Sequence, residues 1–109
     1  MSDWTVEVFD GTVASEIEAW PVELQAALSR IVGRIRAAGL ERVGAPMVKH
    51  IEGKLWEMRP SAKKEEGRAL YVAVSGRRIV IVLAFRKKTQ KTPRRLIDTA
   101  LERAKRIER

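Results

Sequence analysis

The stretch "RALYVAVSGRRIVIVLAF", Arg68 to Phe85, decides the fold. Its halves, "RALYVAV" and "RIVIVLAF", read as two strands joined at Ser75-Gly76, a dipeptide that favours a tight hairpin turn. The second half is apolar almost throughout, as a central strand buried on both faces should be. An antiparallel hairpin with its later strand inside a sheet is therefore the organising element.

Working back from it, "KLWEMRP" alternates Leu55, Glu57 and Arg59 against Trp56 and Met58, and Pro60 closes this third strand. The intervening "SAKKEEG" reads as a polar, charged loop. "LERVGAPMVKHIEG", Leu40 to Gly53, holds Gly44 and Pro46 and reads as a connection with at most a turn of structure. Before it, Leu24, Ala27, Leu28, Ile31, Val32 and Ile35 keep the helical period. Gln25, Arg30, Arg34 and Arg36 fall mostly on the other side, and Gly39 caps the end. Val13, Ile17 and Trp20 mark one face of a shorter helix that Pro21 stops. "WTVEVF" alternates as a strand ended by Asp10-Gly11. Beyond the hairpin, Leu96, Ile97, Ala100, Leu101, Ala104 and Ile107 form the apolar stripe of a helix starting near Pro93.

The order β-α-α-β-β-β-α predicts an α+β fold. Two N-terminal helices pack on one face of an antiparallel four-stranded sheet, the first strand lies beside the last, and the C-terminal helix returns to the sheet. With 109 residues, the chain reads as one domain over 1–109.

Composition narrows the chemistry. An apolar share of 45% supports a packed core rather than disorder. The chain has no cysteine, which excludes a disulfide scaffold, a thiolate metal site and a cysteine nucleophile. "MSDWTVEVFD" lacks the pattern of a signal peptide, and the apolar run Ile79–Phe85 is too short to span a bilayer, so a cytoplasmic protein is expected. Twenty-two Lys and Arg against 14 Asp and Glu leave a net charge of +8. That excess suits phosphate backbones or an acidic protein partner.

His50 is the single histidine, and no ligand set accompanies it, so neither a metal nor any other cofactor is expected. It reads either as a loop residue or as a general base. No serine sits in a nucleophile elbow, and no Gly-rich phosphate loop is present. The remaining chemistry is cationic. Arg59 ends one strand, Arg68 opens the next, and Lys87 and Lys88 follow a third. Gathered at one sheet edge, they could hold a phosphate and protonate a leaving oxygen. Scattered, they are a solvated strand end. Tyr71 points either to the core or to this edge. Trp4 and Trp56, on the alternating pattern of their strands, read as core anchors and not as base-stacking platforms.

The segments "VKHIEGKLWEMRP", "GRALYVAV" and "IVIVLAFRKKTQKTP", with a final helix carrying Ala100 and Arg103, resemble the RelE/ParE toxin superfamily. The likeness is strongest to the phage-derived HigB-like branch of type II toxin–antitoxin systems, and it covers nearly the whole chain. It implies a RelE-like fold and an mRNA endoribonuclease that acts on the ribosome. In that chemistry a ribose 2′-OH attacks its own 3′-phosphate without metal. A cognate helix-turn-helix antitoxin is the implied partner. Carried over by motif, the catalytic positions are Arg59, Arg68, Lys87, Lys88 and Lys91, and the RNA-binding ones are His50, Lys54, Tyr71, Arg86 and Arg94. The chain departs from the family pattern in the longer "SAKKEEGR" that precedes "ALY". A ParE-like gyrase poison and a non-catalytic basic binding module remain as alternatives on the same scaffold.

Overall fold

The computed structural model describes residues 2–107. In chain order its elements are β1 (Thr5–Val8), α1 (Gly11–Glu18), α2 (Val22–Ala38), a short 3-10 turn (Leu40–Arg42), β2 (Val48–Glu52), β3 (Leu55–Met58), β4 (Ser61–Ala62), β5 (Glu65–Val74), β6 (Arg78–Arg86) and α3 (Arg94–Lys105). The fold is α+β, as the pattern predicts. The main sheet runs β1-β6-β5-β3-β2, with β4 paired to β5 off this path.

The hairpin is the centre. β5 and β6 pair antiparallel from Gly67↔Arg86 to Val74↔Arg78. Gly76 (φ +81°) and Arg77 (φ +55°) make the left-handed turn that joins them. The register shifts between Leu70 and Tyr71, so the β6 strand carries one extra residue there. As a result Val82 and Leu83 both contribute to the same core cluster, the one under α3.

The sheet differs from the sequence expectation in three places. First, β1 lies beside β6 as expected but runs parallel to it, from Thr5↔Arg78 to Val8↔Ile81. The sheet is therefore mixed, not antiparallel. A period-2 pattern reports which face a residue takes and carries no information about strand direction. Second, the supposed connection Leu40–Gly53 contains β2, which pairs antiparallel with β3 as the far edge strand. Third, the "SAKKEEG" loop contains the two-residue β4, and β5 begins inside it at Glu65. The sheet thus has six strands rather than four.

Helices cover both faces. The Asp10 side chain accepts a hydrogen bond from the Val13 N–H (3.1 Å) and so starts α1. Gly39, at φ +94°, ends α2. The apolar residues of these helices, with Val13, Trp20, Leu24, Ile31 and Ile35 buried, meet Met58, Ala69, Tyr71, Ile79 and Ile81 of the sheet. On the opposite face Leu55, Leu70, Val72, Val80 and Val82 pack under Ala100 of α3, flanked by Leu96, Ile97 and Leu101. Burying one such aliphatic side chain stabilises the fold by about 1.5–3 kcal/mol. Trp4 packs partly buried against the first cluster. Trp56 does not fit the core-anchor reading. It is 40% exposed, because the helices do not extend over its end of β3.

β6 outruns β1. The last β1-side bond is Phe9 N–H to the Ile81 carbonyl (2.9 Å). Beyond it, the Ala84 N–H donates to the Glu16 carboxylate (3.0 Å), and Arg103 donates to the Val82 carbonyl (2.8 Å). Glu16 and Arg103 pair with each other at 3.3 Å, closing this edge with side chains. Among the described residues no helix is long and apolar enough to cross a membrane.

Candidate functional site

β3 ends at Met58, opposite Ala69 in the first half of β5. Backbone bonds fix the chain just outside this pair. Arg59 N–H donates to the Met47 carbonyl (2.8 Å), Gly67 N–H to Pro60 (2.9 Å), and Lys87 N–H to Glu66 (2.8 Å). Arg59 just past β3 and Lys87 just past β6 are thereby held beside Arg68, which lies within β5 rather than opening it as the sequence suggested.

Their side chains form a run of alternating charge. Buried Glu57 lies against both arginines through the same oxygen, 3.5 Å from Arg59 Nε and 3.6 Å from Arg68 Nε. Its other oxygen accepts a hydrogen bond from the Thr92 hydroxyl (3.3 Å). Arg68 also donates to the Gly67 carbonyl (2.7 Å) and to Glu66 (3.2 Å). Glu66 in turn pairs with Lys87 at 3.6 Å. The order is Arg59–Glu57–Arg68–Glu66–Lys87, three cations to two carboxylates. Burying the inner pair is costly, and its mutual attraction and hydrogen bonds offset that cost.

Exposure divides the labour. The Arg68 side chain is 4% exposed, whereas Arg59 is 31% and Lys87 23% exposed. Arg59 and Lys87 can touch a bound molecule, and Arg68 acts from behind them. Glu66 is half exposed. The Arg68 hydrogen bond and the Lys87 charge hold its carboxyl below the usual range, so it is ionised at neutral pH. It sits where an anion bridging Arg68 and Lys87 would sit.

A groove of about 770 Å³ opens beside this run, and Arg30 and Arg34 of α2 line it together with Arg59, Glu66 and Arg68. The sequence reading left Arg30 and Arg34 on an outer helical face. Their i,i+4 spacing, which stacks both on one side of α2, was the available signal. It also passed over Glu57, whose place between Leu55 and Arg59 in the alternation puts a carboxylate on an inward face.

The other sequence candidates lie elsewhere. Lys88 lines a separate groove with Glu16, Trp20 and Pro93. Lys91 is exposed, and its carbonyl accepts a hydrogen bond from the Thr89 hydroxyl (2.7 Å). Arg86 pairs with Glu65. Arg94 binds both oxygens of Glu52 (2.6 and 3.0 Å) and also Asp98, and these bonds raise its pKa further. His50, Lys54 and Tyr71 line a third groove. Tyr71 is buried, and desolvation pushes its phenol up to about 12, so it stays protonated at neutral pH. Among the described residues no cluster of three or more His, Asp or Glu could hold a metal ion.

Residues 15–105 match the family model described as "Phage derived protein Gp49-like (DUF891)". This span includes every residue of the charge run. No curated protein matches the chain.

Proposed function

The chain belongs to the phage-derived Gp49-like family, and from that premise we propose that it is a toxin that cleaves mRNA on the ribosome. The observation carrying this reading is the run Arg59–Glu57–Arg68–Glu66–Lys87 beside a groove edged by Arg30 and Arg34. A scissile phosphate entering this groove replaces Glu66 as the anion facing Arg68 and Lys87. Arg59, partly exposed and oriented by Glu57, binds a non-bridging oxygen and stabilises the charge that grows in the transition state.

The bond changes balance without a further reactant. The ribose 2′-oxygen forms a bond to phosphorus as the phosphorus–O5′ bond breaks. Displaced Glu66 takes the 2′-hydroxyl proton, and the Lys87 ammonium gives its proton to the departing O5′. The products are a 2′,3′-cyclic phosphate and a 5′-hydroxyl end. The excess of cations, +8 over the chain, suits both RNA and an acidic inhibitory partner, which we take to be a helix-turn-helix antitoxin. Its site of action is then the cytoplasm, where ribosomes are.

One observation favours a second reading, a basic module that binds nucleic acid without cutting it. The Arg68 guanidinium is buried and already engaged by Gly67, Glu66 and Glu57. The deciding experiment incubates the purified protein with mRNA, with and without ribosomes, and maps new ends. New 5′-hydroxyl ends that vanish in Arg59→Ala and Lys87→Ala support cleavage. RNA that is bound but intact under both conditions leaves the binding module.

A further inference from the structure

Just past the C-terminal end of α2, on the same face of the sheet, lies the third groove, of about 910 Å³. Tyr71 and Val48 line it from the sheet, Leu40 from the 3-10 turn, Trp4 from the chain before β1, and His50 and Trp56 from the β2–β3 edge. Trp56 is the one aromatic among the exposed large hydrophobic side chains of the described residues. It is also braced: the His50 ring meets it edge-on, with centroids 5.0 Å apart and planes at 61°. His50 is itself fixed, because its Nε2 donates to the Gly53 carbonyl (2.7 Å). A rigid indole left open to solvent is a stacking surface prepared in advance.

Lys49 and Lys54 stand at the rim of this groove. Both are exposed, and neither enters an ion pair among the described residues. Arg86 and Arg94, by contrast, are held by carboxylates. The rim therefore offers positive charge without having to break an internal pair first. The combination of an exposed aromatic face and free cations suits single-stranded nucleic acid, whose bases stack while its phosphates meet the lysines. The two grooves adjoin along one segment, Ala45 and Val48 lining this one and Pro46 and Met47 the one beside Arg59, so one strand can reach both.

We propose that this groove is a nucleobase subsite for single-stranded RNA, in which a base stacks on Trp56 and the flanking phosphates meet Lys49 and Lys54. The proposal rests on the RNA-directed reading above for the identity of the strand.

The test separates binding from cleavage by using a short 2′-O-methyl RNA oligomer, which cannot be cut by 2′-hydroxyl attack. Affinity is followed by fluorescence anisotropy. Trp56→Ala should lose about five- to hundredfold, the range for one stacked base, and Trp56→Phe should retain most of the binding. An abasic oligomer should bind the wild-type protein about as weakly as the intact oligomer binds Trp56→Ala. Removing Lys49 and Lys54 together should flatten the salt dependence. Equal affinity of intact and abasic strands, unchanged affinity in Trp56→Ala, or displacement of the oligomer by poly-glutamate at equal concentration would each overturn the subsite. The last would point to an acidic protein partner. Cleavage of mRNA on ribosomes is scored separately. Cutting by wild type with no base-dependent oligomer binding removes the subsite and leaves the nuclease. Base-dependent binding with uncut mRNA does the reverse.

Discussion

Gly67→Ala forces a methyl group against the Trp20 ring. A Cβ at this position would stand 2.8 Å from Cη2 and 3.1 Å from both Cζ2 and Cζ3. Neither side can yield cheaply. Trp20 is 4% exposed within the core under α1 and α2. The Gly67 backbone is tied at both ends, its N–H to Pro60 and its carbonyl to the Arg68 guanidinium. Overpacking of this kind costs about 1–3 kcal/mol. Alanine returns about 0.4–1 kcal/mol by stiffening the unfolded chain, since Gly67 has no positive φ to lose. The net expectation is a loss of about 1–2 kcal/mol, or roughly 5–15 °C in Tm for a domain of this size. Thermal melts followed by circular dichroism read it directly. The ring atoms at fault are absent in Trp20→Phe, so in that background Gly67→Ala should cost little, and the double-mutant cycle should show a coupling of about 1 kcal/mol or more. If Gly67→Ala melts with the wild type, or costs as much beside Phe as beside Trp, the close-approach argument is wrong.

Other perturbations address the charge run and the core. Glu57→Gln keeps an acceptor for Thr92 but removes the charge shared by two arginines; urea unfolding should show a loss of about 3–5 kcal/mol, much of it restored by adding Arg68→Met. Lys87→Arg should keep RNA affinity and lose cleavage, because a guanidinium does not release its proton near neutral pH; an active Lys87→Arg enzyme would remove Lys87 as the acid. Tyr71 titrates near 12 when folded and near 10 when unfolded. Its contribution is therefore complete below pH 10 and is lost as the pH rises from about 10 to 12. That amounts to a loss on the order of 2 kcal/mol, and Tyr71→Phe should flatten it in alkaline melts.

Long, periodic elements were legible in the sequence. α2, the β5–β6 hairpin and α3 each bury a continuous apolar stripe, and that burial is what periodicity reports. β2 was not legible, because Gly44 and Pro46 precede it and an edge strand with Lys49 and His50 exposed has little apolar pattern to show. β4 is too short to have a period. Trp56 obeyed the alternation yet missed the core, since alternation assigns a face and not the extent of the layer covering it. The same limit applies to Arg68. Its place at the start of "RALYVAV" suggested a phosphate contact at a sheet edge, and only the fold supplies Glu57 as the partner that makes its burial tolerable. Of the cations in "FRKKTQKTP", the strand register brings only Lys87 to Arg68, through Glu66.

The parallel pairing of β1 with β6 also sets an order of assembly. Glu7 and Arg78, ion-paired across these strands, are 71 positions apart. Closing a loop of that length costs chain entropy before any contact repays it. The β5–β6 hairpin closes over a three-residue turn and bears no such delay. The hairpin is thus the template on which the N-terminal elements settle, although they are synthesised first. On a ribosome, β1, α1 and α2 emerge before the sheet they must cover exists. Arg59 and Arg68 likewise wait for Lys87, so the cationic cluster is completed only after β6 has been made.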